Sequence, residues 1–202
     1  MAIDAEAART RGSKATCAAR HYHERAGDVQ TGARVTRLEQ RGGEWVGATS
    51  KGDFAGRYLV NCAGLHCDRV AELAGEKRET RIVPFRGEYY KLVEGSEGLV
   101  RHLIYPVPDP QFPFLGVHFT RLIDGGTEAG PNAVLAFARE GYRKTDVNMR
   151  DLWDAVSYSG LWRFVAKYPR MTALELWQSL SKRRFCTALQ KLVPSIRVTD
   201  ID

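Results

Sequence analysis

The spacing of apolar and polar positions changes period several times along this chain, and each change marks an element. Residues 2–26 carry Ala, Arg and Glu at helical spacing, with Ala19, Tyr22 and Ala26 as a stripe, and Gly27 ends the helix they predict. From Val29 the period becomes two: Val29, Thr31, Ala33 and Val35 share one parity, and after a shift Leu38 continues inward. The Gly42-Gly43 pair predicts a hairpin, because both glycines accept the positive φ that tight turns demand. Residues 44–49 return as a strand, Lys51-Gly52-Asp53 turns again, and residues 54–62 run as a third strand. Its end, Tyr58-Leu59-Val60-Asn61-Cys62, is almost continuously apolar, which predicts burial on both faces, as in a parallel sheet covered by helices. Ala63-Gly64 then leads into a helix over residues 65–73 closed by Gly75.

Residues 81–93 read as strands interrupted by Pro84 and Gly87. Residues 102–107 and 112–121 add extended chain, and the segment Pro106-Val107-Pro108-Asp109-Pro110 is too rich in proline for a helix. Gly125-Gly126 turns the chain into a further extended piece over 127–137. After Arg143 the texture becomes helical. Asp146 is placed to cap a helix reaching Tyr168, with Leu152, Val156, Leu161 and Val165 on its apolar side and Pro169 as its stop. Thr172 with Glu175 three positions on reads as a capping box for a last helix, whose apolar face holds Leu176, Leu180 and Leu189 before Pro194. The fold class predicted is α/β (α+β): a β-meander with a strand, glycine turn and helix first, then a mostly antiparallel sheet with helices.

Composition adds limits. With 202 residues the chain suffices for one or two domains, at about 100–200 residues each. A hydrophobic share of 44% and a charged share of 27% place it with folded rather than disordered chains. The net charge of +6 favours acidic partners: a dicarboxylate, a phosphate-bearing cofactor, an anionic membrane face or nucleic acid. No nucleic-acid module frames the basic residues, and the Lys182-Arg183-Arg184 run reads as a solvated helix face. Cys17, Cys62, Cys67 and Cys186 form no CxxC pair, which argues for reduced thiols and against a metal site or disulfide framework. No apolar run is long enough for a membrane span, and the first residues lack the apolar core of a secretory signal. Asp4 and Glu6 argue against a transit peptide. A soluble protein is expected, with peripheral membrane contact left open.

Three constellations can carry chemistry. Leu59-Val60-Asn61-Cys62-Ala63-Gly64 places small residues after an apolar strand, where a phosphate or a flavin edge can approach the backbone; the alternative is a plain turn at Gly64. In Pro84-Phe85-Arg86-Gly87-Glu88-Tyr89-Tyr90, Arg86 offers a planar fork to a carboxylate and Gly87 admits a flat ring, or Arg86 and Glu88 are simply an exposed pair on a strand. Tyr105, His118, Arg121 and Asn132 end three polar segments that would converge on one substrate if their strands are neighbours. His118 has the pKa range for taking a proton from a hydroxyacid, although a lone His between Val117 and Phe119 is more often structural. Tyr158, Trp153, Trp162 and Trp177 read first as core or interface packing. There is no GxGxxG, GxxxxGK[ST] or GxSxG in the chain.

The stretches IVPFRGEYY, LIYPVPDP, FPFLGVHFTR, AGPNAVLAF and REGYRKTD resemble the L-2-hydroxyglutarate oxidase/dehydrogenase branch of the D-amino-acid-oxidase-type flavoproteins. The resemblance runs from about Arg20 to Asp200 and is most specific between Pro84 and Asp146. It implies a Rossmann-like FAD domain threaded through a substrate domain of antiparallel sheet and helices. On this chain the expected division is residues 1–80 for a partial FAD-binding domain and 81–202 for the substrate domain. The implied reaction is oxidation of the 2-hydroxyl carbon of L-2-hydroxyglutarate to 2-oxoglutarate, with electrons passing through FAD to a quinone or oxygen. By the same resemblance Val35 lies at the adenine end of FAD, Cys62, Ala63, Gly64 and Gly87 lie along the cofactor, and Arg86, Arg121 and Asn132 bind substrate. His118 and Tyr105 are the catalytic candidates.

Such proteins begin with a strand, a GxGxxG turn and a helix that holds the pyrophosphate, and end with a glycine-containing return to the flavin. Neither stands in this sequence, so the expectation is a truncated or split chain with weak FAD binding or none, weakly active or inactive, and an apolar strand around residue 60 left exposed or covered by something else. Two other readings stay open: a non-catalytic remnant or split subunit completed by a partner chain, and a related amine or glycerol-phosphate oxidising flavoprotein. The expected location is the cytoplasm, peripheral to the inner membrane, or the mitochondrion in a eukaryote.

Overall fold

A computed structural model describes residues 2–3, 28–108 and 116–202. It divides into two compact units, Met1–Ile82 and Val83–Asp202. In the first, β1 (Ala2–Ile3) pairs in parallel with β2 (Val29–Gln30). The helix expected over 2–26 therefore does not start at Ala2, and the rest of that expectation lies outside the described residues. An antiparallel meander follows: β3 (Val35–Arg41), β4 (Glu44–Thr49) and β5 (Gly52–Gly56). Gly42 and Gly43 both take positive φ, 58° and 85°, so the hairpin closes between the paired Arg41 and Glu44. The anticipated shift of parity is a register break between Val35 and Arg37, which turns Leu38 inward over Gly47, where a Cβ would lie 3.3 Å from Leu38. The next turn falls one residue earlier than expected, because Gly52 already pairs with Thr49.

One expectation here is overturned. The third strand stops at Gly56 and does not continue to Cys62, and Tyr58 and Val60 are 88% and 79% exposed rather than buried on two faces. The apolar composition is that of an interior strand, but no strand pairs with this segment among the described residues. A 3-10 turn, Gly64–His66, then leads into α1 (Cys67–Leu73). The helix closes as anticipated at Gly75, with φ 90°: the Gly75 N–H donates to Glu72 and the Glu76 N–H to Ala71. Asp68 ties the following loop to α1 by accepting from Arg78 Nη2 at 2.6 Å and the Ile82 N–H at 3.1 Å.

The second unit is built on an antiparallel sheet in the order β6 (Phe85–Lys91), β8 (Thr127–Leu135), β7 (His118–Arg121). Gly87 does not interrupt β6 but pairs within it, opposite Ala133. Ile104 bridges to Phe119 and extends the sheet beyond β7. A register break between Glu88 and Tyr90 lets β8 keep an extra residue, so Glu88 faces Asn132 while Tyr90 faces Ala129. Ala129, Phe119 and Leu92 on one face join Val100, Phe185, Leu189, Val193, Ile196 and Ile201 in the core, each large side chain stabilising by about 1.5–3 kcal/mol on full burial.

The helices differ from the sequence reading in several places. Asp146 accepts the Arg143 N–H in a turn, whereas Asn148 caps α2 (Met149–Val156) by accepting from the Arg150 and Asp151 N–H groups. The single helix expected as far as Tyr168 breaks at Ser157-Tyr158 before α3 (Ser159–Lys167): the Trp162 indole donates at 2.7 Å to the Val156 carbonyl, which a continuous helix would offer to Gly160. Pro169 is the first residue of α4 (Pro169–Leu180), not only a stop. No capping box forms at Thr172, whose hydroxyl bonds back to the Tyr168 carbonyl, while Glu175 is drawn to β8. Ser181 is extended and caps α5 (Lys182–Leu189), so Leu176 and Leu180 do not share a buried face with Leu189. Trp153, Trp162 and Trp177 are more exposed than buried, which overturns their reading as core. Arg184 lies over the Trp177 ring at 4.7 Å, so the basic run is partly engaged.

Candidate functional site

The sheet of the second unit separates its polar residues by face. Toward the helices, Arg86 Nη2 donates to Glu88 Oε1 at 2.9 Å, and Arg86 Nη1 donates to the Arg143 carbonyl at 3.0 Å. The Arg–Glu pair weighed in the sequence is thus present but shielded, with side-chain exposures of 11% and 14%. Burial pushes the Glu88 carboxyl up, but hydrogen bonds from Ser179 and Arg86 and the charges of Lys144 and Arg86 outweigh it and hold it below the usual range. Opposite Glu88, Asn132 is fully buried and donates through Nδ2 to the Glu175 carbonyl of α4 at 2.9 Å. Glu175 Oε2 accepts the Ala133 N–H at 2.7 Å, where β7 no longer lies beside β8. Burial raises the Glu175 carboxyl, with that N–H offsetting part of the rise.

The opposite face carries Tyr105 and His118. Tyr105 and His118 stack with centroids 4.2 Å apart and planes at 22°. The Tyr105 hydroxyl reaches Thr120 Oγ1 at 3.0 Å. His118 Nδ1 lies 3.1 Å from the Gly116 carbonyl; a carbonyl only accepts, so this contact assigns the ring proton to Nδ1 and leaves Nε2 as the acceptor. His118 pairs with Gly130 of β8, and Tyr89 of β6 leans over Gly130 from the other side. A groove of 320 Å³ runs along the β6 edge, lined by Arg86, Gly87, Glu88, Tyr89, Tyr90, Tyr142 and Lys144.

Of the residues singled out in the sequence, the structure brings Tyr105 and His118 together and places Arg86 and Gly87 on the β6 edge. Asn132 points to the covered face. Arg121 ends β7, exposed, with Nη1 3.3 Å from the Arg101 carbonyl. In the first unit Val35 is half-buried at the start of β3, and Cys62, Ala63 and Gly64 form the loop before α1. Asn61 ties that loop to the helix by donating to the Cys67 carbonyl at 2.7 Å and accepting the Ala63 N–H at 3.2 Å. At Gly64, φ 52°, a Cβ would meet nothing within 4 Å, so the backbone is uncovered and fits the approach of a flat or phosphate-bearing group such as the flavin implied by the resemblance.

Sequence reasoning passed over Tyr89 and Glu175. The first stood inside a motif read for Arg86 and Gly87, and its glycine seat is visible only across strands. The second was assigned to a helix cap. Among the described residues no His, Cys, Asp and Glu group gathers as a metal site, and no helix is long and apolar enough to cross a membrane.

The family model of FAD dependent oxidoreductases matches residues 3–169. Among curated proteins, the chain is similar to the L-2-hydroxyglutarate dehydrogenase of Indibacter alkaliphilus, with 49% identity over 176 residues, 87% of this chain and 44% of that protein. It is 50% identical over 145 residues to the mitochondrial L-2-hydroxyglutarate dehydrogenase of Nematostella vectensis, covering 72% of this chain and 32% of that protein. The L-2-hydroxyglutarate dehydrogenase of Escherichia coli strain K12 is 39% identical over 184 residues, 91% of this chain and 44% of the relative. The chain spans less than half the length of these curated relatives.

Proposed function

We propose, since this chain belongs to the FAD-dependent oxidoreductase family, that its protein oxidises L-2-hydroxyglutarate at the C2 hydroxyl to give 2-oxoglutarate. The observation that carries this reading is the Tyr105–His118 stack on the open sheet face, with Nδ1 engaged and Nε2 left to accept a proton. Oxidation of a secondary alcohol removes a hydroxyl proton and a hydride from carbon. His118 Nε2 takes the proton, and Tyr105, fixed by Thr120, holds the imidazole ring in place. When bound, the flavin supplies the hydride acceptor. Val35 would lie at its adenine end, Cys62, Ala63 and Gly64 along the uncovered loop, and Gly87 near the ring. Arg121 offers its exposed guanidinium to a substrate carboxylate. Arg86, which lines the groove while bonding Glu88 and the Arg143 carbonyl, and Asn132, which bonds the Glu175 carbonyl, support the reaction by shaping the sheet that presents Tyr105 and His118.

The electron acceptor on this reading is a quinone or oxygen. The site of action is the cytoplasm, or the mitochondrion in a eukaryote, with peripheral contact at the inner membrane. In the flavin-loaded protein, His118→Asn lowers kcat by about 100-fold or more, the usual range for losing a general base. Turnover that is unchanged across pH would remove His118 from this role.

A second reading has a partner chain complete the first unit, and it is favoured by the exposed apolar segment around Tyr58 and Val60. Mass measurement and flavin absorbance of the purified chain test it. A monomer that binds flavin on its own counts against that reading.

A further inference from the structure

Tyr89 stands half in water, at 51% exposure, with its ring lying over glycine backbone on two strands. A Cβ on Gly130 would lie 2.8 Å from Tyr89 Cδ1 and 3.1 Å from Cγ, and a Cβ on Gly87 would lie 3.2 Å from Tyr89 Cε2. A contact under 3.0 Å is not tolerated, so the ring can rest here only with glycine at 130 on β8, while Gly87 within β6 spares it a tight contact on the other side. An exposed ring returns little hydrophobic stabilisation for such a seat. The seat fixes instead where the phenol points.

The seat also falls at a particular row of the sheet. Gly130 pairs with His118 on β7, so Tyr89, Gly130 and His118 cross three adjacent strands, and Tyr105 stacks on His118 at the far end. Strands lie about 4.7–4.9 Å apart, which brings the residues of this row within the span of a small organic acid. Burial, with smaller contributions from Glu128 and Tyr105, raises the Tyr89 hydroxyl above its usual range and keeps it in the protonated, donating form.

We infer that Tyr89 is a substrate-binding residue: its fixed hydroxyl donates a hydrogen bond to a carboxylate of the hydroxyacid while His118 addresses the alcohol. This rests on the reaction proposed above. No step of proton or hydride transfer passes through Tyr89, so its contribution belongs to affinity.

The test uses the flavin-loaded protein and two variants. Tyr89→Phe keeps the ring in its glycine seat and removes only the hydroxyl. KM for L-2-hydroxyglutarate and the dissociation constant of 2-oxoglutarate, read from the flavin spectrum, should both rise about tenfold, as expected for one hydrogen bond to a charged group. Gly130→Ala, whose Cβ would lie 2.8 Å from both Tyr89 Cδ1 and the Glu88 carbonyl oxygen, moves the ring and the strand beneath it together and should weaken 2-oxoglutarate binding at least as much in a protein that retains its flavin. Unchanged KM and 2-oxoglutarate affinity in Tyr89→Phe would overturn the inference, even if His118→Asn abolishes turnover and the proposed reaction stands. A protein that neither oxidises 2-hydroxyglutarate nor binds 2-oxoglutarate would overturn both.

Discussion

The two faces of the sheet in the second unit carry similar side chains and use them differently. Arg86, Glu88 and Asn132 face helix α4 and the loop at Arg143: Arg86 donates to the Glu88 carboxylate and the Arg143 carbonyl, and Asn132 donates to the Glu175 carbonyl. Tyr89, Tyr105 and His118 face away from that helix and keep at least one polar atom toward solvent, with Tyr89 and Tyr105 about half exposed. Leaving a buried polar group unpaired costs about 1–3 kcal/mol, so the bonds made on the covered face serve stability, although Asn132 Oδ1 is buried there without a hydrogen-bond partner. The open face spends little on stability and retains groups that can act on a ligand.

The largest effect that could break this contrast is on the covered face. Arg86→Ala leaves the Glu88 carboxylate shielded without its closest cation and should cost about 3–5 kcal/mol of unfolding free energy, measured by denaturant titration. If stability is retained and 2-oxoglutarate binding is lost instead, Arg86 belongs with the ligand-facing residues and the division by face fails. On the open face, Tyr105→Leu removes the stack on His118 and the bond to Thr120, and should cost stability only about 0.5–1.5 kcal/mol. Its turnover should fall about tenfold as the imidazole loses its support. A stability loss as large as that of Arg86→Ala, with normal turnover, would place Tyr105 among the structural residues.

Much of this was legible in the sequence where the signal was local. The glycine pair at Gly42-Gly43, the parity shift before Leu38 and the stop at Gly75 each depend on backbone geometry that a few residues decide. The family resemblance held for the same reason: its motifs are contiguous. What failed was set by side-chain contacts that the spacing of apolar positions does not encode. The break at Ser157-Tyr158 follows from the Trp162 indole taking a carbonyl, and Glu175 left its expected cap for the open edge of β8. In the site, spacing along the chain gathered Tyr105, His118 and Asn132 as one set. The register break between Glu88 and Tyr90 and the glycine seat of Tyr89 exist only between strands. Face assignment therefore could not be read from the motifs.

The smallest predicted effect separates two carboxylates on the covered side by the sign of their pH dependence. Glu88 has a folded pKa below its unfolded value, so it contributes stability above the unfolded pKa and loses it as pH falls through the folded pKa. Glu175 is shifted the other way by burial. The folded state then binds more protons than the unfolded one between the two pKa values, so the contribution of Glu175 is full below its unfolded pKa and is lost as pH rises through the folded pKa. Glu175→Gln keeps a carbonyl oxygen for the Ala133 N–H and cannot ionise, so the variant should match or exceed the parent above that window by about 1 kcal/mol or less and lose the advantage in acid. Unfolding free energies of both proteins across the acid range check this. A variant weaker than the parent at neutral pH would mean that the ionised carboxylate is what α4 needs against β8. The covered face would then be held by charge at two points, Glu88 and Glu175, rather than one.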